Sequence, residues 1–257
     1  MDDLQQLIAI VKLNNRGAFQ IETRQYGNAV LTLTEAIMLS KQVIARCSIE
    51  SYSRDAPSTQ NTEGCYFSQC MQSPYGYADK ALPPPLVSHR SASFWDQPST
   101  DKNDDDEEMD EFVYQDPIRI PKEAIRNSYQ FNTAMSIMLI FNLALAHQLY
   151  AFEDETFSRH MMLEKSAKLY ECAYSLLLQQ NFESNLLFVL ATVNNLGQVH
   201  RSLDQSGESA TKCFEHLLSI LMFLVDSDQG EKTPYFEGFL RSTSHLVLQK
   251  DCYAAAA

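Results

Sequence analysis

The chain has 257 residues, a formal net charge of -13 and 45% hydrophobic residues, which is enough for one or two domains with a substantial core. Its 8 Gly and 9 Pro exclude a collagen-like or wholly disordered chain. The acidity is concentrated, because residues 50–116 contain 14 acidic and 4 basic residues, a net of -10 that leaves -3 for the rest. Nucleic acid and anionic membranes are poor candidate ligands, since binding phosphates requires a concentrated basic face.

The sequence favours a soluble protein of the cytoplasm or nucleus. Residues 1–4 lack the basic and apolar regions of a secretory signal. The most apolar stretch, 131–149, contains Asn132, Asn142 and His147, which are costly in lipid, so a buried helix explains it better. The six cysteines are scattered, and we expect them to be reduced. They are Cys47, Cys65, Cys70, Cys172, Cys213 and Cys252.

Two helices are predicted within an N-terminal unit, residues 1–47. Apolar residues recur at helical spacing from Leu4 to Leu13 and again from Val30 to Met38. The tripeptide Gln25-Tyr26-Gly27 supplies the predicted turn.

An acidic, Pro- and Ser-rich insertion follows at residues 48–110. Its apolar content cannot offset the chain entropy lost on ordering, so we expect it to be disordered. Phe94 and Trp95 are candidate anchors for folding on a partner, with docking on the protein's own surface as the alternative. Ser73, which precedes Pro74, and Ser91 and Ser93, which follow Arg90, stand in contexts that a kinase can accept.

Residues 111–121 are predicted to form an extended arm. Phe112, Tyr114, Ile118 and Ile120 stand at even positions, and two prolines at 117 and 121 oppose helix. The simpler prediction is that the arm covers apolar surface. The bolder one is that it occupies a groove between helices and blocks partners.

Four further helices are predicted, at 125–152, 157–180, 183–203 and 207–226. An apolar tail at 234–248 is predicted to cover the last helix pair. Residues 122–253 thus comprise two helix pairs and a C-terminal cap, which we expect to form one folded unit with residues 1–47.

Short segments repeat along the chain. Residues 142–147 (NLALAH) recur 53 positions later as 195–200 (NLGQVH), and residues 14–17 (NNRG) resemble 194–197 (NNLG). Each is followed by a second predicted helix with a small residue, an aromatic or Leu four positions on, and a small or apolar residue three further.

This pattern resembles the tetratricopeptide repeat (TPR), a helix-turn-helix unit with a small residue in its first helix and the pattern A-x3-F-x2-A in its second. The copies span about 10–43, 137–180 and 190–224. The FNLALAH and KCFEHLLS stretches are also similar to those of TPR-like proteins encoded in diatom genomes, a likeness that implies no activity. The residues predicted to pack between helices are Gly17, Ala29, Leu33 and Ala36, then Ala144, His147, Ser166, Tyr170 and Ala173, then Gly197, His200, Ala210, Phe214 and Leu217.

The resemblance implies an all-α superhelix of three helix pairs whose first helices line a concave groove. An Asn occupies the same position in all three copies, and because its amide both donates and accepts, a row of them can pair with the backbone of an extended peptide. The alternative is that these amides bond neighbouring helices or water. The groove positions are Asn14, Asn15 and Ala18, then Phe141, Asn142 and Leu145, then Asn194, Asn195, Gln198 and Arg201.

Other chemistry has little support in the sequence. His147 and His200 lack a third metal ligand at suitable spacing and are predicted to be packed, hydrogen-bonded core residues. Cys172 and Cys213 are predicted to be small buried hydrophobes. Catalytic signatures are absent from the sequence, and no cofactor is predicted.

The leading functional prediction is a non-enzymatic scaffold that binds an unidentified protein or peptide. The main alternative is a self-assembling or structural protein whose groove is filled by its own segments or by another copy. A metal-binding or hydrolytic enzyme with a nonstandard site is the remote alternative.

Overall fold

The computed structural model describes residues 3–51, 112–121, 132–153, 158–179, 186–203, 207–230 and 233–254. These residues contain helices and no strand, which confirms an all-α protein within those ranges. The predicted insertion lies outside the described residues except for its first four positions, as do Phe94, Trp95 and the candidate phosphorylation sites. The helices are α1 (Asp3–Glu22), α2 (Tyr26–Ser51), α3 (Asn132–Glu153), α4 (Ser158–Leu177), α5 (Leu186–Leu203), α6 (Glu208–Asp226) and α7 (Phe236–Ala254).

The first turn lies earlier than its predicted position at residues 25–27. Helix α1 ends at Glu22, and two residues later Arg24 adopts a left-handed backbone conformation with a φ of 59°. The amide of Gln25 donates to the carbonyl of Gln20, and that of Arg24 donates to Ile21. This pair of bonds is a Schellman motif, which closes the helix without glycine, so Gly27 lies inside α2.

Each helix packs against the next one along the chain. Helices α1 and α2, α3 and α4, and α5 and α6 form pairs, and the pairs meet through contacts of α2 with α3 and of α4 with α5. Helix α7 packs on α6 and also reaches α5. Buried residues from the N-terminal pair and from the C-terminal half belong to one hydrophobic cluster, so residues far apart in sequence share a core.

Small residues allow close approach within the pairs. A methyl group at Gly17 would lie 2.5 Å from Cγ of Leu33, and one at Gly197 would lie 2.8 Å from Cε1 of Phe214. In the middle pair, the Ser166 hydroxyl donates to the Ala144 carbonyl over 2.9 Å. All the residues predicted to pack between helices are buried, apart from the half-buried His200.

Helix α3 is long and apolar enough to pass a test for a membrane span by length and composition, with a mean hydropathy of 1.5 over the tested window. However, 78% of that window is buried inside the structure. A central position in the core accounts for its apolar character, because helices α2 and α4 pack against it and α1 also contacts it.

We predict that Gly17→Ala and Gly197→Ala each lower the free energy of unfolding by about 1–3 kcal/mol, because the added methyl group overpacks the helix pair. Gly27→Ala is the matched control, since its methyl group would lie 3.9 Å from the Tyr150 ring. We expect that control to keep or gain stability, by up to about 1 kcal/mol, because Ala favours helix. Urea unfolding followed by circular dichroism measures the free energy of unfolding of all three variants. If the three variants are equally stable, the close packing at Gly17 and Gly197 is contradicted.

Candidate functional site

Residues 112–121 form an extended arm, without helix or strand, that lies across the first helix of each pair. The arm runs from α5 across α3 to α1, opposite to the order of the helices in the sequence. Pro117 and Pro121 fix φ and lack an N–H, which keeps the segment from becoming helical. Tyr114, Ile118 and Ile120 are at most 4% exposed, so these side chains of the arm are part of the hydrophobic core.

Three asparagine side chains bind the arm in the same way. In each, the side-chain oxygen accepts a hydrogen bond from the N–H of one arm residue, and the side-chain nitrogen donates a hydrogen bond to the C=O of the same residue. We call this arrangement an amide clamp. Asn195 clamps Tyr114 with bonds of 2.9 and 2.8 Å. Asn142 clamps Ile118 with bonds of 2.7 and 2.8 Å. Asn15 clamps Ile120 with two bonds of 2.7 Å.

The clamps supply hydrogen-bond partners to peptide groups of the arm that are removed from water. A buried peptide group without a partner costs about 1–3 kcal/mol, and an extended segment resting on helices has no neighbouring strand to pair with. The side-chain amide has the same donor and acceptor as a peptide group, so it takes the place of that strand. Asn15, Asn142 and Asn195 come from α1, α3 and α5 respectively, so each helix pair contributes one clamp.

Further polar side chains add hydrogen bonds around the clamps. Asn14 donates to the Ile118 carbonyl over 2.9 Å and accepts from the Asn142 amide over 2.9 Å, so the first and second pairs are joined directly. Asn194 donates to the Phe112 carbonyl over 3.0 Å, and Gln198 also donates to it over 3.2 Å. The carbonyl end of Phe112 is therefore held by α5.

A buried chain of hydrogen bonds orients the clamp on Tyr114. The Asn195 amide donates to the Tyr170 hydroxyl over 3.1 Å, and that hydroxyl donates to Gln148 over 2.8 Å. Burial raises the pKa of the Tyr170 phenol, so the hydroxyl stays protonated and able to donate. The middle helix pair thus fixes the position of a clamp that belongs to the third pair.

Side chains of the arm have partners of their own. The Phe112 ring packs edge-on against Phe239, with centroids 5.3 Å apart. The Tyr235 hydroxyl donates to the Asp116 carboxylate. Nε of Arg119 donates to the Glu22 carboxylate over 3.0 Å, and a second guanidinium nitrogen bonds the other oxygen of the same carboxylate. That bond raises the pKa of the guanidinium.

The structure brings most of the predicted groove residues onto the arm. Those that hydrogen bond to it are Asn14, Asn15, Asn142, Asn194, Asn195 and Gln198. Phe141 meets the Tyr114 ring at a centroid distance of 6.2 Å. Ala18 and Leu145 are fully buried in the protein. Arg201 is placed elsewhere, with its guanidinium 4.5 Å from the centroid of the Phe214 ring.

Several partners of the arm lie in α7, just before it and at the end of α1, and none of them was predicted from the sequence. Tyr235, Phe239 and Ser242 lie within the predicted apolar tail at 234–248, where no repeat position marks them as arm contacts. Glu22 lies 97 residues from Arg119, and neither carries a local signal for the pairing. Only the apolar character of the tail indicated that this region would cover something.

Predictions about three single residues need correction. Cys172 is exposed, because it lies one position from the buried face of α4 that Ala173 occupies. Cys213 is half-buried, and burial together with the nearby Glu171 raises the pKa of its thiol to about 11. His147 is packed as predicted, but its Nδ1 has no hydrogen-bond partner among the described residues.

The histidines have different surroundings. Burial, with a contribution from Lys165, lowers the pKa of His147 to about 4, which makes it neutral in the folded protein at pH 7. His200 lies 3.8 Å from the Glu171 carboxylate. In the part of the chain that the structure describes, three or more His, Cys, Asp or Glu side chains do not gather into a group that could hold a metal ion.

Comparisons with protein-family models, with curated proteins and with solved structures found no match to this chain. The interpretation of the site therefore depends on its own geometry, and the TPR resemblance depends on the residues that carry it.

We predict that Asn142→Ala lowers the free energy of unfolding by about 3 kcal/mol, because it leaves the buried N–H of Ile118 unpaired and opens a small cavity. Asn28→Ala is the matched control, since Asn28 is an exposed asparagine of α2. We expect that control to change stability by less than about 0.5 kcal/mol. Denaturant unfolding compares the two variants, and equal small effects would show that the clamp on Ile118 contributes nothing.

Proposed function

We propose that this protein is a non-enzymatic interaction module that binds the backbone of an extended peptide segment through the clamping asparagines of its first helices. The single observation behind the proposal is the set of three amide clamps, on Tyr114, Ile118 and Ile120. These bonds go to peptide groups, which every extended segment carries. A partner segment with the same spacing can therefore form the same six bonds.

The proposed architecture is a TPR-like superhelix in which the clamping asparagines face a concave surface. The support for it is the successive packing of three helix pairs and the small residues, Gly17 and Gly197, at the crossings within two of them. Stacked pairs bring equivalent positions of the first helices into a row. That geometry explains why α1, α3 and α5 each contribute one clamp.

A second candidate function is a structural or self-assembling protein in which the arm is a permanent part of the fold. The burial of Tyr114, Ile118 and Ile120 to 4% exposure or less favours it, because core residues are buried to this degree. The two functions differ in one respect. An interaction module must release the arm and accept another segment, whereas a structural protein never needs to do so.

An enzyme is not part of the proposal. The described site consists of neutral amides, aromatic rings, one exposed ion pair and the Asp116 carboxylate that accepts from Tyr235, and its clamps bond backbone groups of the chain itself. We propose that the partner is a protein or peptide and that the site of action is the cytoplasm or nucleus.

A full-length variant with a weakened arm tests the proposal. Ile118→Asp places a charge at a position that is 3% exposed, so we expect the arm to leave the clamps. Random ten-residue peptides are then selected for binding to this variant, with unmodified protein as the competitor. We expect selected peptides to bind the variant at least tenfold more tightly than they bind the unmodified protein.

The clamping asparagines supply the control. We expect Asn15→Ala together with Asn195→Ala to weaken binding of the selected peptides at least tenfold, and Asn28→Ala to leave it unchanged. If no peptide is selected, or if the two clamp replacements make no difference to affinity, the second candidate function replaces the first.

A further inference from the structure

We propose, building on the function above, that the site selects a peptide in a partner protein with the pattern aromatic-x-aromatic-x-acidic-Pro-aliphatic-basic-aliphatic. The arm is then an intramolecular copy of this ligand, and its residues 112–120 show what each position must supply. The clamps bind any extended backbone. The partners of the arm's side chains add the selectivity.

Three positions of the pattern hold aliphatic or aromatic side chains because these positions are removed from water. Ile120 is fully buried, Ile118 is 3% exposed and Tyr114 is 4% exposed. The Tyr114 ring also lies edge-on to Phe141 and Tyr235, with centroid distances of 6.2 and 5.3 Å. A charged residue at any of these positions would lose its hydration without a partner, so the site rejects it.

The first aromatic position is defined by close contact with α7. A methyl group added at Gly238 would lie 2.7 Å from two ring carbons of Phe112, so the ring rests directly on the helix backbone. Phe239 meets the same ring edge-on. A flat aromatic ring fits in this space, against both the backbone of α7 and the edge of Phe239.

Two charged positions set the direction of the ligand. The Tyr235 hydroxyl donates to Asp116 near the third helix pair, and Glu22 accepts from Arg119 at the end of α1. The acidic side chain therefore meets a neutral donor, and the basic side chain meets a carboxylate. A peptide bound in the reverse direction would exchange these partners and bring two carboxylates together.

Proline is part of the pattern because of the spacing of the clamps. Tyr114 and Ile118 are clamped four residues apart, whereas Ile118 and Ile120 are clamped two apart. Pro117 occupies the longer interval, is buried, and has no N–H that would need a partner there. It also restrains the preceding residue to an extended conformation, which lowers the entropy lost on binding.

The covalent connection of the arm decides when the site is available. Residues 52–111 and 122–131 connect the arm to α2 and α3. A segment tethered in this way has an effective concentration of about 1 mM, so a free peptide of the same sequence competes poorly with it. A partner segment must therefore bind more tightly than the tethered arm, or it can bind only after the arm has left the clamps.

Cutting both connections in the full chain tests this inference. Recognition sequences for a specific protease are inserted after Asp101 and after Arg126, both outside the described residues. Fluorescence anisotropy then follows a labelled peptide of residues 111–121 added to the uncut or the cut protein. We expect the peptide to bind the cut protein at least tenfold more tightly, because the tether no longer favours the resident arm.

Peptide variants separate the side-chain pattern from backbone binding. We expect Ile120→Asp in the peptide to weaken binding at least tenfold. Arg119→Glu should weaken it by up to about fivefold, the limit for an exposed ion pair, and protein carrying Glu22→Arg should recover most of the loss. Equal binding of all the peptides would overturn the pattern and leave the proposed function intact. Failure of every peptide to bind a folded cut protein would overturn both.

If the cut chain unfolds, hydrogen exchange in the uncut protein tests the inference instead. There, Arg119→Glu should speed hydrogen exchange at the amide of Ile120, and the added change Glu22→Arg should slow it again. An exchange rate that the second change does not restore would overturn the proposed role of the ion pair in selecting the basic position.

Discussion

The structure depends on how the polar backbone of an extended segment is satisfied when it lies against helices. Helices already use their own peptide groups, so they offer an extended neighbour nothing comparable to the edge of a sheet. Asn15, Asn142 and Asn195 remove this obstacle, because each presents a peptide-like amide from the surface of a helix. Without them, burying Ile118 and Ile120 would leave the N–H of both residues and the C=O of Ile120 without these partners.

The same contacts join parts of the chain that are distant in sequence. The arm bonds to α1 through Asn15, to α3 through Asn142 and to α5 through Asn195, and it also packs against α7. The N-terminal helix pair is therefore held to the rest by its packing against α3 and by the arm. Closing the long connection between them costs little more than closing a short one, since the entropy cost grows with the logarithm of length.

Sequence reasoning recovered the features that depend on local pattern. Helical periodicity predicted α1 to α6, and the alternation of apolar residues with two prolines predicted an extended segment at 111–121. Periodicity did not predict α7, because residues 234–248 were expected to form an apolar tail and the structure has a helix at Phe236–Ala254. The repeated Asn was recognisable because one small polar residue recurred in an otherwise apolar context at Asn142 and Asn195. Features that depend on tertiary contacts were not recoverable. An example is the pairing of Glu22 with Arg119, which lie 97 residues apart. The exposure of Cys172, by contrast, follows from its position next to the packed Ala173.

Hydrogen exchange at single amides of the arm measures the central claim most directly. The clamps engage the N–H groups of Tyr114, Ile118 and Ile120. The account predicts that these three amides exchange as slowly as those of the buried helices, and that each becomes fast when its own asparagine is replaced by alanine. Rapid exchange at all three in the unmodified protein would contradict it, because the arm would then not be clamped.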